Sequence, residues 1–208
     1  MPTEDRSRPR WFWPSLTAVT LLSLLLYGRS LQFGFFNDDP TGHFAWMETM
    51  RLWQFFVDVG GRGYYRPISF ILLELPHAIT GQYGRLPMHG LLLLFHGANV
   101  FLLALLANRL SSRPAYALAA ALIFAAVPFH YEAVAYVAAF VHPLVTFWTL
   151  LTLWCYVQAG RGGREQRPYL IAAHLALLLG LFSHENGMAI FPLLLALEFL
   201  WLDGRWRR

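Results

Sequence analysis

Two neighbouring aspartates, Asp38 and Asp39, are the residues of this chain whose type and spacing best suit a chemical role. They lie between Asn37 and Pro40, directly after a long apolar segment. A pair of carboxylates can supply a general base or bind a hard cation. An Asx-type turn before the proline is the alternative interpretation. The pair is therefore our first candidate for a catalytic site, and a divalent metal is left open.

A tyrosine–arginine–proline element, Tyr65-Arg66-Pro67, supplies the second candidate. A guanidinium can bind a phosphate through two parallel hydrogen bonds, and we predict this role for Arg66. Contact with lipid headgroups, or an ion pair with Asp58 or Glu74, is the alternative.

Histidine and glutamate occur close together at two further places. His130 and Glu132 flank a tyrosine, and zinc ligation, helix capping or a mutual pair are open interpretations, because no defined zinc spacing is present. His184 and Glu185 interrupt two apolar segments and exceed what a simple turn requires. The candidate metal ligands are Asp38, Asp39, His130 and Glu132.

The elements that must position these residues are apolar segments of helical length. Their periodicity is weak, so length and flanking residues define them; they cover 11–31, 87–110, 114–129, 133–158, 168–182 and 187–202. The mixed stretch 32–86 predicts short helices over 43–57 and 67–80, the first of them amphipathic. We therefore predict an all-α polytopic bundle of about six transmembrane helices. It forms one domain over residues 1–208, with a large first external loop over 32–86.

The composition supports a membrane class. The chain has 208 residues, of which 57% are hydrophobic and 13% are charged, whereas a soluble domain carries about 25% charged residues. The net charge of +4 is dispersed rather than gathered in a basic run, which argues against nucleic acid as a partner. A single cysteine, Cys155, excludes an internal disulfide and a cysteine-based metal site.

The arginines alternate with the apolar segments and predict the topology. They cluster before the first segment and then after the second, fourth and sixth. The positive-inside rule makes that side cytoplasmic and places the candidate site on the opposite face. The chain contains no lysine, which is typical of a GC-rich bacterial genome. We therefore expect a multi-pass protein of a bacterial plasma membrane, with its active face periplasmic or extracellular.

The motifs also resemble a known family when they are taken in order. The order is Asp38-Asp39, Phe56-Val57-Asp58, Tyr65-Arg66-Pro67, Pro87-Met88-His89, the stretch 124–134 and His184-Glu185-Asn186-Gly187. Over about residues 33–202 the chain resembles the amino-terminal part of GT-C glycosyltransferases. The most similar subgroup is the transmembrane and tetratricopeptide-repeat-containing O-mannosyltransferases with their bacterial relatives.

This resemblance implies a helical membrane bundle that uses a polyprenyl-phosphate sugar as donor. It assigns catalysis to Asp38 and Asp39 and binding of the donor phosphate to Arg66, Tyr65 and His184. The further site residues that it implies are Asp58, His89, His130, Glu132 and Glu185.

The chain departs from the family pattern in several places. Its histidine follows Pro128-Phe129 where the family often has a His-Pro pair, and His184 stands where the family has a lysine. Tetratricopeptide repeats are missing, and full-length members have more membrane helices. The chain is then the amino-terminal part of a longer glycosyltransferase, a split gene product or a degenerate relative.

The predicted activity is transfer of a sugar, mannose being one candidate, from a polyprenyl-phosphate donor to an acceptor hydroxyl on the non-cytoplasmic face. The acceptor is a protein, a lipid or a glycan, and membrane lipids surround the chain. Asp38 is favoured as the base over Asp39, because Pro40 restricts the backbone of the residue before it. The alternatives are a membrane transporter, a lipid-binding module or an inactive truncated relative.

Overall fold

The computed structural model describes residues 9–36, 39–57, 64–160 and 166–202. All regular elements in these ranges are helical, which confirms the predicted all-α class. The α-helices are α1 (Phe12–Tyr27), α2 (Ala45–Met47), α3 (Pro67–Thr80), α4 (Arg85–Ser111), α5 (Pro114–Ala126), α6 (His130–Ala135), α7 (Val141–Ala159), α8 (Gln166–Leu181) and α9 (Ile190–Leu197). Short 3₁₀ segments cover Gly28–Gln32, Leu52–Phe56, Val137–Phe140 and Glu185–Ala189, and π-helical turns cover Asp39–Phe44 and Glu198–Leu202.

Two helices are long and apolar enough to cross a membrane. One is α4, with 27 residues and a mean hydropathy of 2.1, and the other is α7 with the 3₁₀ turn before it, Val137–Ala159, with 23 residues and a mean hydropathy of 1.6. A span needs about 20 predominantly apolar residues. The remaining helices are shorter, such as α1 with 16 residues and α5 with 13.

Successive long helices run in opposite directions, so the helix termini lie at two opposite ends of the bundle. The hydroxyl of Tyr27, at the end of α1, donates to the carbonyl of Val127 just after α5. The rings of His142 and His184 lie 5.1 Å apart, at the start of α7 and just after α8. At the other end, the ring centres of Trp154 in α7 and Tyr169 in α8 lie 5.8 Å apart.

These two ends differ in charge. We call the end that holds five of the six described carboxylates, Asp39, Glu48, Glu74, Glu132 and Glu185, the acidic end. The opposite end, which we call the basic end, carries Glu198 and four of the eight described arginines, Arg10, Arg109, Arg113 and Arg167, whereas Arg29, Arg51, Arg66 and Arg85 lie at the acidic end. The four arginines of the basic end belong to the clusters from which the topology was predicted, and the orientation in a membrane stays a prediction.

The segment between α1 and α4 forms a cap on the acidic end. Its buried side chains Phe44, Met47, Phe55, Phe70 and Leu73 pack in one cluster with residues of α4, α7 and the 3₁₀ turn before α7. Proline at the first position of α3 pre-sets a helical backbone angle, and α3 covers Pro67–Thr80 as predicted. The helix expected over 43–57 is instead broken into three short pieces.

The break within the cap has a local cause. The backbone N–H of Arg51 donates to the side-chain oxygen of Gln54 at 2.6 Å, which starts a new 3₁₀ turn. A side chain that satisfies an exposed backbone group favours a helix start at that point. The apolar spacing over 43–57 therefore predicted the burial of Phe44 and Met47, but Leu52 and Trp53 are exposed and the helix is not continuous.

After α8 the chain reverses within a few residues, and Gly187 makes this possible. A Cβ atom at Gly187 would lie 2.6 Å from the carbonyl oxygen of Gly180 and 2.8 Å from its carbonyl carbon. Both are backbone atoms of α8, so a side chain at this position forces the two segments apart. The close approach gives Gly187 a packing role within the His184–Gly187 motif.

We expect Gly187→Ala to lower the stability of the protein by about 1–3 kcal/mol, which is the usual cost of overpacking. Gly90→Ala is the matched control, because a Cβ at Gly90 in α4 meets nothing within 4 Å. Thermal unfolding of the purified variants measures both effects. An unchanged midpoint for Gly187→Ala would show that the turn after α8 can move apart without loss.

Candidate functional site

Asp39 lies at the junction between the cap and the bundle. Its side chain is completely buried, and its Oδ1 accepts a hydrogen bond from the backbone N–H of Ala138 at 2.8 Å. Nearby, the rings of Phe36 and Tyr136 stack at 5.1 Å. Asp39 thus fixes the segment after α1 against the turn that precedes α7. Its neighbour Asp38 lies outside the described residues, as does Asp58.

Arg66 forms an ion pair with Glu185, 119 positions further along the chain. Its Nε donates to Oε2 of Glu185 at 2.8 Å and its Nη2 donates to Oε1 at 2.5 Å. The guanidinium also lies 4.4 Å from the ring centre of Tyr64. The hydrogen bonds from Arg66 lower the pKa of Glu185 to about 2. Glu185 is therefore a carboxylate at neutral pH and cannot act as a general acid.

The partner of Arg66 differs from the two carboxylates named as alternatives from the sequence. Glu74 binds within its own part of the cap: its Oε1 lies 2.6 Å from Nδ1 of His77, and its Oε2 accepts a hydrogen bond from the hydroxyl of Tyr83 at 2.5 Å. Asp58 lies outside the described residues. The bidentate geometry expected for a phosphate is realised here with a carboxylate.

His184 is buried beside this ion pair. Its Nδ1 accepts a hydrogen bond from the backbone N–H of Asn186 at 3.0 Å, and it lies 3.7 Å from Oε2 of Glu185. Burial, followed by the positive charge of Arg66, lowers the pKa of His184. The ring is therefore neutral at pH 7 and offers hydrogen bonds rather than a positive charge. In this respect it does not replace the lysine of the family pattern.

His142 joins the same cluster, although it was absent from the residues predicted for the site. Its exposed ring lies 5.1 Å from that of His184, and the charges of Arg66, Glu132 and Glu185 all act on it. Glu132 is itself exposed on α6. The one sequence signal for His142 was its place among the polar residues of this face, because neither a motif nor a spacing marked it.

The position of His142 also links the cluster to Asp39. Ala138, which donates to Asp39, and His142 lie one turn apart where the 3₁₀ segment Val137–Phe140 enters α7. The junction between this 3₁₀ segment and α7 therefore positions both the buried aspartate and the cluster of Arg66, His142, His184 and Glu185. We define these five residues as the candidate site.

Other predicted site residues lie elsewhere. His89 is fully buried in α4, with its ring stacked 6.1 Å from Phe35. The ring of His130 faces inward and lies 4.3 Å from that of Phe124. Tyr65 donates its hydroxyl to the carbonyl of Phe56 at 3.1 Å and stays exposed at the rim of the cap.

The candidate metal ligands do not come together in the described part of the chain. Among those residues no group of three or more His, Cys, Asp and Glu side chains could hold an ion. Asp39 is bound to Ala138, His130 packs on Phe124, and Glu132 is exposed. A metal that also uses Asp38 stays a prediction.

Comparisons with protein-family models, with curated proteins and with solved structures found no match. The resemblance to GT-C glycosyltransferases therefore rests on the order of the motifs in the sequence.

We expect acidification from pH 7 to pH 5 to destabilise the protein, and His184→Asn to reduce that dependence. The pKa of His184 is lowered from its ordinary value of 6.5 in the folded chain. The stability that its neutral ring contributes is therefore complete above pH 6.5 and is lost as the pH falls through the folded pKa. Asparagine can keep an acceptor for the Asn186 N–H without titrating.

Thermal unfolding between pH 5 and pH 8 provides the measurement. His174→Asn is the control, because His174 lies exposed on α8 and bonds the carbonyl of Leu170 in its own helix. Identical pH profiles for the wild type and His184→Asn would remove His184 as a titrating group of the site.

Proposed function

We propose that the chain is a multi-pass membrane enzyme that transfers a sugar from a polyprenyl-phosphate donor to an acceptor hydroxyl at the acidic end of the bundle. The observation that carries the proposal is the candidate site itself. An arginine, a glutamate and two histidines cluster where a cap closes one end of an apolar helix bundle, and a buried aspartate binds the backbone one helical turn before the first of these histidines. Titratable side chains near membrane depth are costly and tend to mark function.

Exposed apolar side chains support a membrane position for more than the two long helices. Large hydrophobic residues face outward on α1, α5, α8 and α9, where water would disfavour them. Examples are Leu25 at 77% exposure and Ile123 at 66%. Others are Leu21, Leu22, Leu26, Leu122, Ile171, Leu175, Leu178, Leu193 and Leu195. Lipid tails would cover these residues, which we call the exposed belt. The proposal therefore includes six membrane spans in all.

The orientation follows from the charges. Arginines at the basic end place that end in the cytoplasm under the positive-inside rule. The acidic end and its cap then face the periplasm or the outside of the cell. A lipid-phosphate donor presents its sugar at the membrane surface, which is the level of the cap.

Cysteine labelling tests this orientation. We expect Gln82→Cys, in the turn between α3 and α4, to react with an impermeant maleimide on intact cells. Ser112→Cys, in the turn between α4 and α5, should react only after permeabilisation. Both positions are exposed, whereas the native Cys155 is buried. The reverse pattern would overturn the orientation and remove the candidate site from the donor side.

The reaction that we propose is a displacement at the anomeric carbon of the donor sugar. The acceptor oxygen forms a bond to that carbon while the bond from carbon to phosphate oxygen breaks. The lipid phosphate leaves with the electron pair, and the proton of the acceptor passes to a carboxylate. Asp38 takes this proton in our proposal. Asp39 positions Asp38, because its own side chain is buried and held by Ala138.

Arg66 stabilises the leaving phosphate in this scheme. Glu185 occupies Nε and Nη2 of the guanidinium, which has five N–H donors in all. The donors on Nη1 are then available to a phosphate oxygen. Glu185 holds the guanidinium in one orientation, and preorganised donors are worth more to a transition state than mobile ones.

The decisive test compares conservative variants of three carboxylates. Asp38→Asn should lower transfer of radiolabelled sugar from polyprenyl-phosphate donors by about 10²–10⁴-fold with little change in stability, since the amide cannot take the proton. Asp39→Asn should lower both activity and thermal stability, because it alters a buried contact. Glu48→Gln, at an exposed site in the same cap, should behave as the wild type.

Sugar transfer is assayed in membranes that contain the wild-type chain, with polyprenyl-phosphate mannose and other polyprenyl-phosphate sugars as donors. If no donor gives transfer, the enzymatic proposal fails for this chain taken alone. If Asp38→Asn keeps full activity, Asp38 is not the base and the pair returns to its interpretation as a turn.

A further inference from the structure

A cavity of about 290 Å³ opens at the acidic end, next to the last turn of α1 and separate from the candidate site. Its walls come from the end of α1, the 3₁₀ segment after it and α6. The lining residues that matter here are Leu26, Tyr27, Arg29, Ser30, Phe33 and Tyr131.

Arg29 supplies a positive charge at this cavity. Its side chain is exposed, and it forms no ion pair with any carboxylate in the described part of the chain. Arg66 differs in this respect, because it forms an ion pair with Glu185. Arg29 also lies on the face where the positive-inside rule disfavours arginine. Binding of an anion would account for an arginine at this position.

Ser30 supplies an unsatisfied hydroxyl in the same wall. The residue is 3% exposed, and its Oγ has no hydrogen-bond partner among the described residues. Buried hydroxyl groups are normally paired. The neighbouring hydroxyl of Tyr27 is already committed to the carbonyl of Val127 at 2.6 Å. Within the described residues, the wall of the cavity therefore holds one cation without an ion-pair partner and one hydroxyl without a hydrogen-bond partner, whose Oγ is buried and reaches a ligand by rotation of its side chain.

The rest of the wall is apolar and continues into the exposed belt of α1. Leu26 is 53% exposed and belongs to that belt, while Phe33 and Tyr131 form an aromatic pair with ring centres 6.0 Å apart. A ligand that matches this cavity therefore has an anionic group next to an apolar chain. Arginine recognises phosphate oxygens through two parallel bonds, and a hydroxyl can add a third.

We propose that this cavity binds the phosphate of an anionic membrane lipid, with Arg29 and Ser30 contacting the phosphate and Leu26 contacting the acyl chain. The site rests on the proposed membrane position but not on sugar transfer. At the end of α1 the carbonyl of Leu25 accepts from the N–H of Gly28, and in the following 3₁₀ segment the carbonyl of Ser30 accepts from the N–H of Phe33.

Native mass spectrometry of the purified full chain tests the proposal with lipids of matched tails. Wild type should retain one phosphatidylglycerol more tightly than diacylglycerol, which lacks the phosphate. Arg29→Gln should weaken phosphatidylglycerol binding by about tenfold or more, since a hydrogen bond to a charged group is worth about 1.4 kcal/mol or more. Ser30→Ala should weaken it by a smaller factor. Arg85→Gln, which removes an exposed cation at the same end but outside the cavity, should not.

Competition identifies the source of the phosphate. Displacement of phosphatidylglycerol by undecaprenyl phosphate, but not by millimolar inorganic phosphate, supports a site for lipid-borne phosphate. Equal displacement by inorganic phosphate overturns the lipid assignment, and equal binding by wild type and Arg29→Gln overturns the site. Because binding is measured without acceptor or turnover, its outcome is independent of whether the chain transfers sugar.

Discussion

The architecture of the acidic end depends on how α3 begins against the end of α8. The backbone N–H of Ile68 donates to the carbonyl of Phe182 at 3.1 Å, and the hydroxyl of Ser69 donates to the carbonyl of Ser183 at 2.7 Å. The first N–H groups of one helix and the carbonyls past the end of another have no partners in their own helices. Here the N–H of Ile68 and the carbonyl of Phe182 satisfy each other, and the hydroxyl of Ser69 satisfies the carbonyl of Ser183 in a buried place. This contact holds the cap on the bundle and brings Arg66, just before α3, opposite Glu185, just after α8.

The electrostatics of the site follow from that contact. Once Arg66 and Glu185 face each other, the carboxylate stays ionised and the positive charge helps to keep the buried His184 neutral. The close approach of Gly187 to Gly180 completes the turn that presents Glu185. On the other side, Asp39 ties the end of α1 to the residues before α7 through one hydrogen bond. Two attachments of the cap thus define one site, and the residues that they join are 99 and 114 positions apart in the sequence.

The features that local patterns determine were predictable. Pro67 marks the start of α3, and continuous apolar runs locate α4, α5 and α8, whereas the run 133–158 is divided among α6, a 3₁₀ turn and α7. The partner of Arg66 was not predictable, because several carboxylates on the same face satisfy the same charge rule and only the packing chooses Glu185. His142 had no motif of its own and entered the cluster through the pairing of α7 with α8. Asp39 could be recognised as a polar residue beside the bundle, but its complete burial depends on the cap.

The unequal lengths of α4 and α5 have a consequence for the surrounding bilayer. At 1.5 Å per residue, the 27 residues of α4 extend about 40 Å and the 13 residues of α5 about 20 Å. A hydrocarbon core about 30 Å thick exceeds the shorter helix, and a bilayer accommodates such a helix by thinning beside it. If α5 spans the membrane as we propose, the bilayer beside it is therefore thinner than elsewhere. The proposed span would then deform the bilayer on the flank of the bundle that α5 occupies.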